Sequence, residues 1–410
     1  MRNLLVAQSG GPTAAINATV AGVVSCAVLS GKVDHIYGAV NGIEGVLAEK
    51  FLDLGQKLDS AEKISLLMQT PAAALGSCRY KLGDPEENKE DFEEILQIFR
   101  RHEIRYFIYI GGNDSMDTVD KMSKYCKENG VDDVFVVGAP KTIDNDLVET
   151  DHCPGFASAA KYIATSVMEV ARDCRVYNKG MITIIECMGR HAGWLTAATV
   201  LPAAKGDGPD LIYLPEVDFD MADFLDDVIR VYEGQGQCLV AVSEGIHYSD
   251  GAFVSEAKTS STDGFGHAQL GGLAHRLAGI VSAATGAKVR GIELSLLQRC
   301  AAHCASATDI EEAFQCGKVA VESALRGETG KMVGMVCKRD GGYSVSYELF
   351  DLRRVANAEK KIPLEWITSD NAYVTDAFID YCTPLLEGQT ALGYEDGLPR
   401  FARLKKVFAK

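Results

Sequence analysis

Ile104-Arg105-Tyr106-Phe107-Ile108-Tyr109-Ile110-Gly111-Gly112-Asn113-Asp114-Ser115 is the stretch on which the fold turns. It opens as an apolar, β-branched and aromatic run, without the polar alternation of a strand that has one face in water. A glycine pair ends the run, and Met116, Val119 and Met122 then recur at helical spacing. The same unit recurs along the chain. Leu4 to Ala7 leads through Gly10-Gly11-Pro12 into a helical pattern from Thr13 to Ser30. Residues 134–137, 181–185, 211–214, 239–242 and 332–336 read as further buried strands. Apolar strands alternating with helices predict a parallel sheet covered on both faces, in an α/β protein. Ligands of such sheets sit at the carboxyl ends of the strands, so the turns that follow them are where chemistry is to be sought.

Working outward, the stretch from Asp84 to Arg101 predicts a helix. Asp84 serves as its cap, Pro85 stands at the first position, and Glu86 and Glu87 lie where the dipole favours anions. Phe92, Ile95, Ile98 and Phe99 form the apolar stripe, and Arg100, Arg101 and His102 complement the far end. The 410 residues suggest two or three domains, with a boundary in ordinary turns near residue 150 and a chain that crosses back later. With 47% apolar and 24% charged residues, disorder is excluded. A net charge of −16 excludes binding nucleic acid or an anionic membrane through the overall field, so any anion site must be locally basic.

Residues 3 to 31 carry no charge, but Gln8, Ser9, Gly10, Gly11, Pro12 and Asn17 break the run. Strand, turn and buried helix fit it better than a signal peptide or a membrane span. The twelve cysteines are dispersed and form no Cys-x-x-Cys, which predicts reduced thiols in core positions and a cytoplasmic protein. Cys300, His303 and Cys304 can share one helical face as metal ligands, although core packing is the favoured reading.

Four turns carry chemistry. Gln8-Ser9-Gly10-Gly11-Pro12-Thr13 offers backbone N–H groups and a helix dipole to a phosphate. Gly111-Gly112-Asn113-Asp114-Ser115 puts polar oxygens at a helix start, where they can hold Mg²⁺ or simply cap the helix. Pro140-Lys141-Thr142-Ile143-Asp144-Asn145-Asp146 sets two carboxylates behind a lysine and a hydroxyl. A carboxylate there can take a hydroxyl proton while the lysine balances charge on a transferring phosphoryl group. Met188-Gly189-Arg190-His191-Ala192-Gly193-Trp194 places an arginine at a strand end, suited to the acceptor's phosphate.

In this order and spacing the four turns closely resemble the phosphofructokinase family, from Gly10 to about Asp380. The resemblance implies two Rossmann-like, doubly wound α/β domains with the active site in the cleft between them. Residues 1–150 would bind the donor phosphate and 151–299 the sugar phosphate. Residues 300–410 would cross back to complete the first domain and add a C-terminal segment. The reaction implied is Mg²⁺-dependent phosphoryl transfer to the 1-hydroxyl of fructose 6-phosphate in glycolysis, by a homodimer or homotetramer. Gly11 matches the donor-phosphate glycine, with Gly10, Gly112 and Ser115 in the same donor turns and Arg79-Tyr80 like the Arg–aromatic turn near the donor. Asn113 matches the usual Mg²⁺ carboxylate, Asp144 the proton acceptor, Thr142 a sugar contact and Asp146 the second carboxylate of the same motif. Met188, Gly189 and Arg190 match the sugar-phosphate strand end, Glu244 a sugar-hydroxyl acceptor, and Arg290 and Arg299 the 6-phosphate clamp.

Three departures follow. Asn113 is neutral, so the metal must lean on Asp114, Asp144 and the donor's own oxygens. Leu296 stands where the family has His or Tyr on the 6-phosphate, and Met181 where it has an arginine, with the basic Lys179 nearby. Family members that use ATP carry glycine at the places of Asp114 and Lys141. Asp114 fills that volume and adds like charge, worth ~4 kcal/mol of repulsion for unit charges ~4 Å apart at an effective dielectric of ~20. Lys141 adds a cation useful to a bare phosphate leaving group. Both match the pyrophosphate-dependent branch, whose reaction is closer to reversible, and Lys141, Asp114 and Asp144 form the catalytic set implied. The alternatives are an ATP-dependent phosphofructokinase, an enzyme acting on sedoheptulose 7-phosphate, and a non-catalytic regulatory subunit that binds only the sugar phosphate. Intact Asp144 and Asp146 speak against the last.

Overall fold

The computed structural model describes residues 2–176, 180–255, 270–356, 358–404 and 407–409. Its main strands are β1 (Asn3–Gln8), β2 (Ile36–Ala39), β3 (Phe51–Asp53), β4 (Ile104–Gly111), β5 (Phe135–Pro140), β6 (Ile182–Cys187), β7 (Leu211–Tyr213), β8 (Cys238–Ser243), β9 (Val289–Glu293), β10 (Lys331–Lys338) and β11 (Ser344–Asp351). Two compact units form. Unit 1 comprises residues 1–158, 299–359 and 388–410, and unit 2 comprises 159–298 and 360–387.

The sheet of unit 1 runs β11-β10-β5-β4-β1-β2-β3. Its five inner strands are parallel, and both edges are antiparallel. All of β1 and most of β4 are buried on both faces, as the absence of polar alternation predicts. Leu4, Val6, Ile108 and Ile110 pack on one side with helix Ile16–Ser30, and Leu5, Phe107 and Tyr109 on the other with helices Lys89–Arg101 and Asn113–Glu128. Helix Ile16–Ser30 crosses helix Ala307–Leu325 at closest approach through two glycines. A Cβ at Gly22 would strike the carbonyl of Phe314, and one at Gly317 that of Thr19.

Unit 2 holds a four-stranded parallel sheet ordered β7-β8-β6-β9. Residues 360–387 belong to this unit, whereas the sequence alone predicts all of 300–410 for the first domain and its tail. The reason is aromatic: Trp194 packs against Trp366, Phe378 and Tyr381, with ring centroids 5.3–6.3 Å apart.

Other local readings also shift. The acidic helix begins at Lys89 rather than at Asp84. Asp84 instead caps a separate turn, accepting from the Glu86 N–H at 2.9 Å. No disulfide joins any of the twelve cysteines. Cys300 and His303 are exposed and Cys304 half-buried on a short 3₁₀ turn, so this trio neither fills core nor shares an α-helical face. Among the described residues no helix is long and apolar enough to cross a membrane.

Candidate active site

In unit 1 the turns after β1, β4 and β5 lie side by side because these strands are neighbours. Pro140 is paired with Gly111, and the Lys141 N–H donates to the Gly111 carbonyl at 2.9 Å. Gly112 stands by Lys141 and Thr142: a Cβ on it would meet the Lys141 carbonyl at 3.5 Å. The Lys141 side chain is buried and reaches back to the first turn, where Nζ donates to the Gly11 carbonyl at 2.7 Å. Burial lowers its pKa to about 8, with Asp144 and Asp146 opposing the shift and Arg79 and Arg299 adding to it.

The Lys141 ammonium also lies 3.2 Å from where a Cβ on Gly10 would be, and Arg299 lies 3.1 Å from where one on Gly11 would be. Two cations therefore crowd the glycine pair. The Gly10 N–H itself is committed to the Cys78 carbonyl at 3.1 Å. Thr13 Oγ1 takes the N–H groups of Ala15 and Ile16, at 3.1 and 2.9 Å. The glycine turn is thus lined by side-chain cations, while Thr13 occupies N–H groups of the helix start that follows it.

The third turn is shaped by Asn145, whose φ of 55° is left-handed and whose side chain is buried. Its Oδ1 accepts from the Cys153 N–H at 2.9 Å, which leaves Asp144 and Asp146 half-buried on either side. Thr142 Oγ1 accepts from the Asp144 N–H at 3.1 Å, so this hydroxyl also orients the expected base. Asn113 donates its amide N–H to the Ala358 carbonyl at 2.7 Å, tethering the helix start. Ser115 is buried. Asp114 is met at 3.3 Å by Lys81, which stands one place beyond Arg79-Tyr80 and carries no sequence motif of its own. Tyr80 donates its hydroxyl to Asp91 at 2.9 Å, against the acidic helix, while Arg79 is exposed.

In unit 2 the turn after β6 is fixed by side chains from other strand ends. Met188 N–H donates to Gln298 Oε1 and Gly189 N–H to Glu244 Oε1, both at 3.2 Å. Ser243 donates to the Gly189 carbonyl at 2.5 Å. Gly189 has φ +133° and its Cβ would meet the Ala192 carbonyl at 2.6 Å, so glycine is required there. Gly193 N–H donates to Glu216 at 2.8 Å, and the same carboxylate oxygen accepts from Ile362 N–H at 3.1 Å. Neither Gln298 nor Glu216 is suggested by the sequence, because their partners are over 20 residues away in chain order. Arg190 is half-buried behind Gly189, while Arg290 is exposed on β9 and Leu296 on the 3₁₀ turn beyond it. Lys179 lies outside the described residues.

Arg299, which the resemblance assigns to the sugar phosphate, lies in unit 1 with a guanidinium nitrogen 3.1 Å from where a Cβ on Gly11 would be, near enough to the glycine pair for a donor contact to be tested. Arg299→Met is therefore expected to raise the KM for the phosphoryl donor about tenfold, read from initial rates at saturating acceptor. An effect confined to the acceptor KM would return Arg299 to the sugar.

A cation-lined glycine turn beside a lysine and paired carboxylates, at adjacent ends of parallel strands, defines a phosphoryl-transfer site on an α/β frame. Comparison with known proteins narrows this class. The model of the family described as Phosphofructokinase matches residues 3–324, and the chain belongs to that family. It is 45% identical to the pyrophosphate–fructose 6-phosphate 1-phosphotransferase of Xanthomonas campestris pv. campestris, covering 99% of this chain and 96% of that one. To the protein of the same name from Halomonas elongata it is 42% identical, over 98% and 96%. Among solved structures, the pyrophosphate-dependent phosphofructokinase of Marinobacter aquaeolei matches with a TM-score of 0.88 and 38% identity, covering 100% of this chain and 98% of that one.

Proposed function

We propose that the chain is a pyrophosphate-dependent phosphofructokinase, which transfers a phosphoryl group from pyrophosphate to the 1-hydroxyl of fructose 6-phosphate. The observation that carries this reading is the buried Lys141 ammonium, 2.7 Å from the Gly11 carbonyl, with Arg299 beside it. A bare diphosphate needs such cations at its transferring end, and Asp114, braced by Lys81, occupies volume and adds charge where a nucleotide would pass. Relatives of similar length bear the same activity in their names.

In the reaction Asp144, oriented through Thr142, accepts the proton of the attacking hydroxyl. Lys141 and Arg299 balance the charge that develops on the phosphoryl oxygens. On the sugar side Arg190, Arg290 and Glu244 are assigned to the phosphate and a hydroxyl, with Met188 and Gly189 shaping the turn and Asp146 as a second carboxylate. The carboxylates of Asp114, Asp144 and Asp146 are hard oxygen donors of the kind Mg²⁺ takes, and that ion would screen the diphosphate's charge. Asn113 contributes less because its amide is neutral where a carboxylate would carry charge, although its Nδ2–H bond to Ala358 still fixes the side chain. The same reading carries a cytoplasmic homodimer or homotetramer, which sedimentation of the purified chain tests.

A coupled assay decides the donor: turnover with Mg-pyrophosphate should exceed that with Mg-ATP by at least tenfold at saturating fructose 6-phosphate. The double change Asp114→Gly with Lys141→Gly should raise the ATP rate relative to the pyrophosphate rate. Wild-type turnover that is equal or faster with ATP rejects the proposal. A longer acceptor has only the exposed Leu296 in its favour, and sedoheptulose 7-phosphate in the same assay separates the two sugars.

A further inference from the structure

Residues 150–155 form a layer behind the loop that carries Lys141, Thr142 and Asp144. Thr142 N–H donates to the Pro154 carbonyl at 3.2 Å, Thr142 and Gly155 form an isolated parallel bridge, and Cys153 N–H holds Asn145. The layer is in turn sewn to β10. Asp151 N–H donates to the Met335 carbonyl at 2.8 Å, and Met335 N–H to Thr150 Oγ1 at 2.9 Å.

His152 stands in the middle of this layer, wholly buried. Its Nε2 lies 2.6 Å from Glu312 and its Nδ1 3.0 Å from Asp151. An imidazole with a carboxylate at each nitrogen satisfies both only when both nitrogens carry hydrogen. Arg339 grips both oxygens of Asp151 at 2.8 Å, and Tyr343 donates to the other oxygen of Glu312 at 2.5 Å.

We infer that His152 is a positioning residue for phosphoryl transfer: held as an imidazolium between Asp151 and Glu312, it fixes the layer from which the Lys141–Asp146 loop hangs. The inference rests on the reading of that loop under Proposed function. Burial alone would favour the neutral ring, but the hydrogen bonds of Asp151, Cys337 and Glu312 and the charge of Glu312 prevail, and its pKa stands well above 6.5. The titratable groups that meet it are Asp151 on its own segment, Glu312 on helix Ala307–Leu325 and Cys337 on β10; Arg339 and Tyr343, in the turn after β10, reach it through Asp151 and Glu312, and Asp309, Cys316 and Tyr347 surround Glu312. Asp151, His152 and Cys337 are near enough together to hold a metal ion. The Nδ1 hydrogen and the Arg339 grip on Asp151 take the places such an ion needs.

The first test needs no variant. Among the eight histidines, proton NMR should show one ring that stays protonated above the ordinary imidazole range, and that resonance should vanish in His152→Gln. His152→Gln should lose about tenfold in kcat per folded molecule, with both KM values within about threefold of wild type. Glu312→Gln keeps the shape but removes one flanking charge, so the ring should lose its proton at lower pH and kcat should gain a limb falling with rising pH that wild type lacks. A merely structural histidine would give no such limb. The proposal is overturned if no histidine of the wild type stays protonated, or if folded His152→Gln keeps wild-type kcat. Retention of one equivalent of zinc, lost in Cys337→Ser, would also overturn it by making the cluster a metal site. Loss of the loop's own role would show instead as an active Asp144→Asn, so the two failures are distinct.

Discussion

Asp144→Asn is expected to lower kcat by ~10² to 10⁴ while leaving the KM for both substrates nearly unchanged. The side chain keeps its shape, its backbone N–H keeps the bond to Thr142 Oγ1, and the amide oxygen can still face Mg²⁺, so the loop should hold while the proton acceptor is removed. The expected signature is thus a fall in kcat and in kcat/KM by the same factor. Initial rates with pyrophosphate across a range of fructose 6-phosphate concentrations measure it. A variant with half of the wild-type kcat would place the base elsewhere, with the half-buried Asp146 as the next candidate.

The largest pH effect is expected from Lys141. Its pKa is depressed to about 8 by burial, so the ammonium present below that pH is lost as pH rises through it. In wild type, kcat/KM for pyrophosphate should therefore fall above about pH 8, by roughly tenfold for each further unit. Lys141→Met should be ~10² to 10³ slower at neutral pH and should lack this limb. If the limb persists in Lys141→Met, another group titrates there and the cation at Gly11 is not the one that acts on the donor.

How much of this was legible beforehand depends on the length of chain over which the physics acts. Strands β1, β4, β5, β6 and β8 declare themselves because both faces are buried and apolar residues dominate each run without a regular polar alternation. Strands β2 and β3 have only four and three residues, and Gly38 interrupts the first while Asp53 closes the second. Strand β11 alternates exposed and half-buried positions along an antiparallel edge, a pattern different from the one that marks the inner strands. The site turns were legible because each is a contiguous segment whose chemistry sits within seven residues. What holds them was not. Glu312 meets His152 from 160 residues away and Lys141 meets Gly11 from 130, contacts that only the folded chain brings together. Asp84 shows the opposite failure. Its capping chemistry was read correctly, but it closes a turn instead of opening a helix.

The interleaving of the two units has a consequence for how the protein is made. A ribosome delivers residues 1–158 first, with β1 to β5 in hand, yet β10, the neighbour of β5, is encoded after the whole first stretch of unit 2. At ~5–20 residues per second, the outer side of β5 waits on the order of 10–40 s for its partner. An apolar parallel strand with an open edge is the kind of template that recruits other chains. Unit 2 waits as well, because the partners of Trp194 arrive with residues 366–381. Neither half can mature before most of the message has been read. The nascent chain therefore carries an unpaired apolar strand edge through much of its synthesis, a state fixed by the order in which its segments are made.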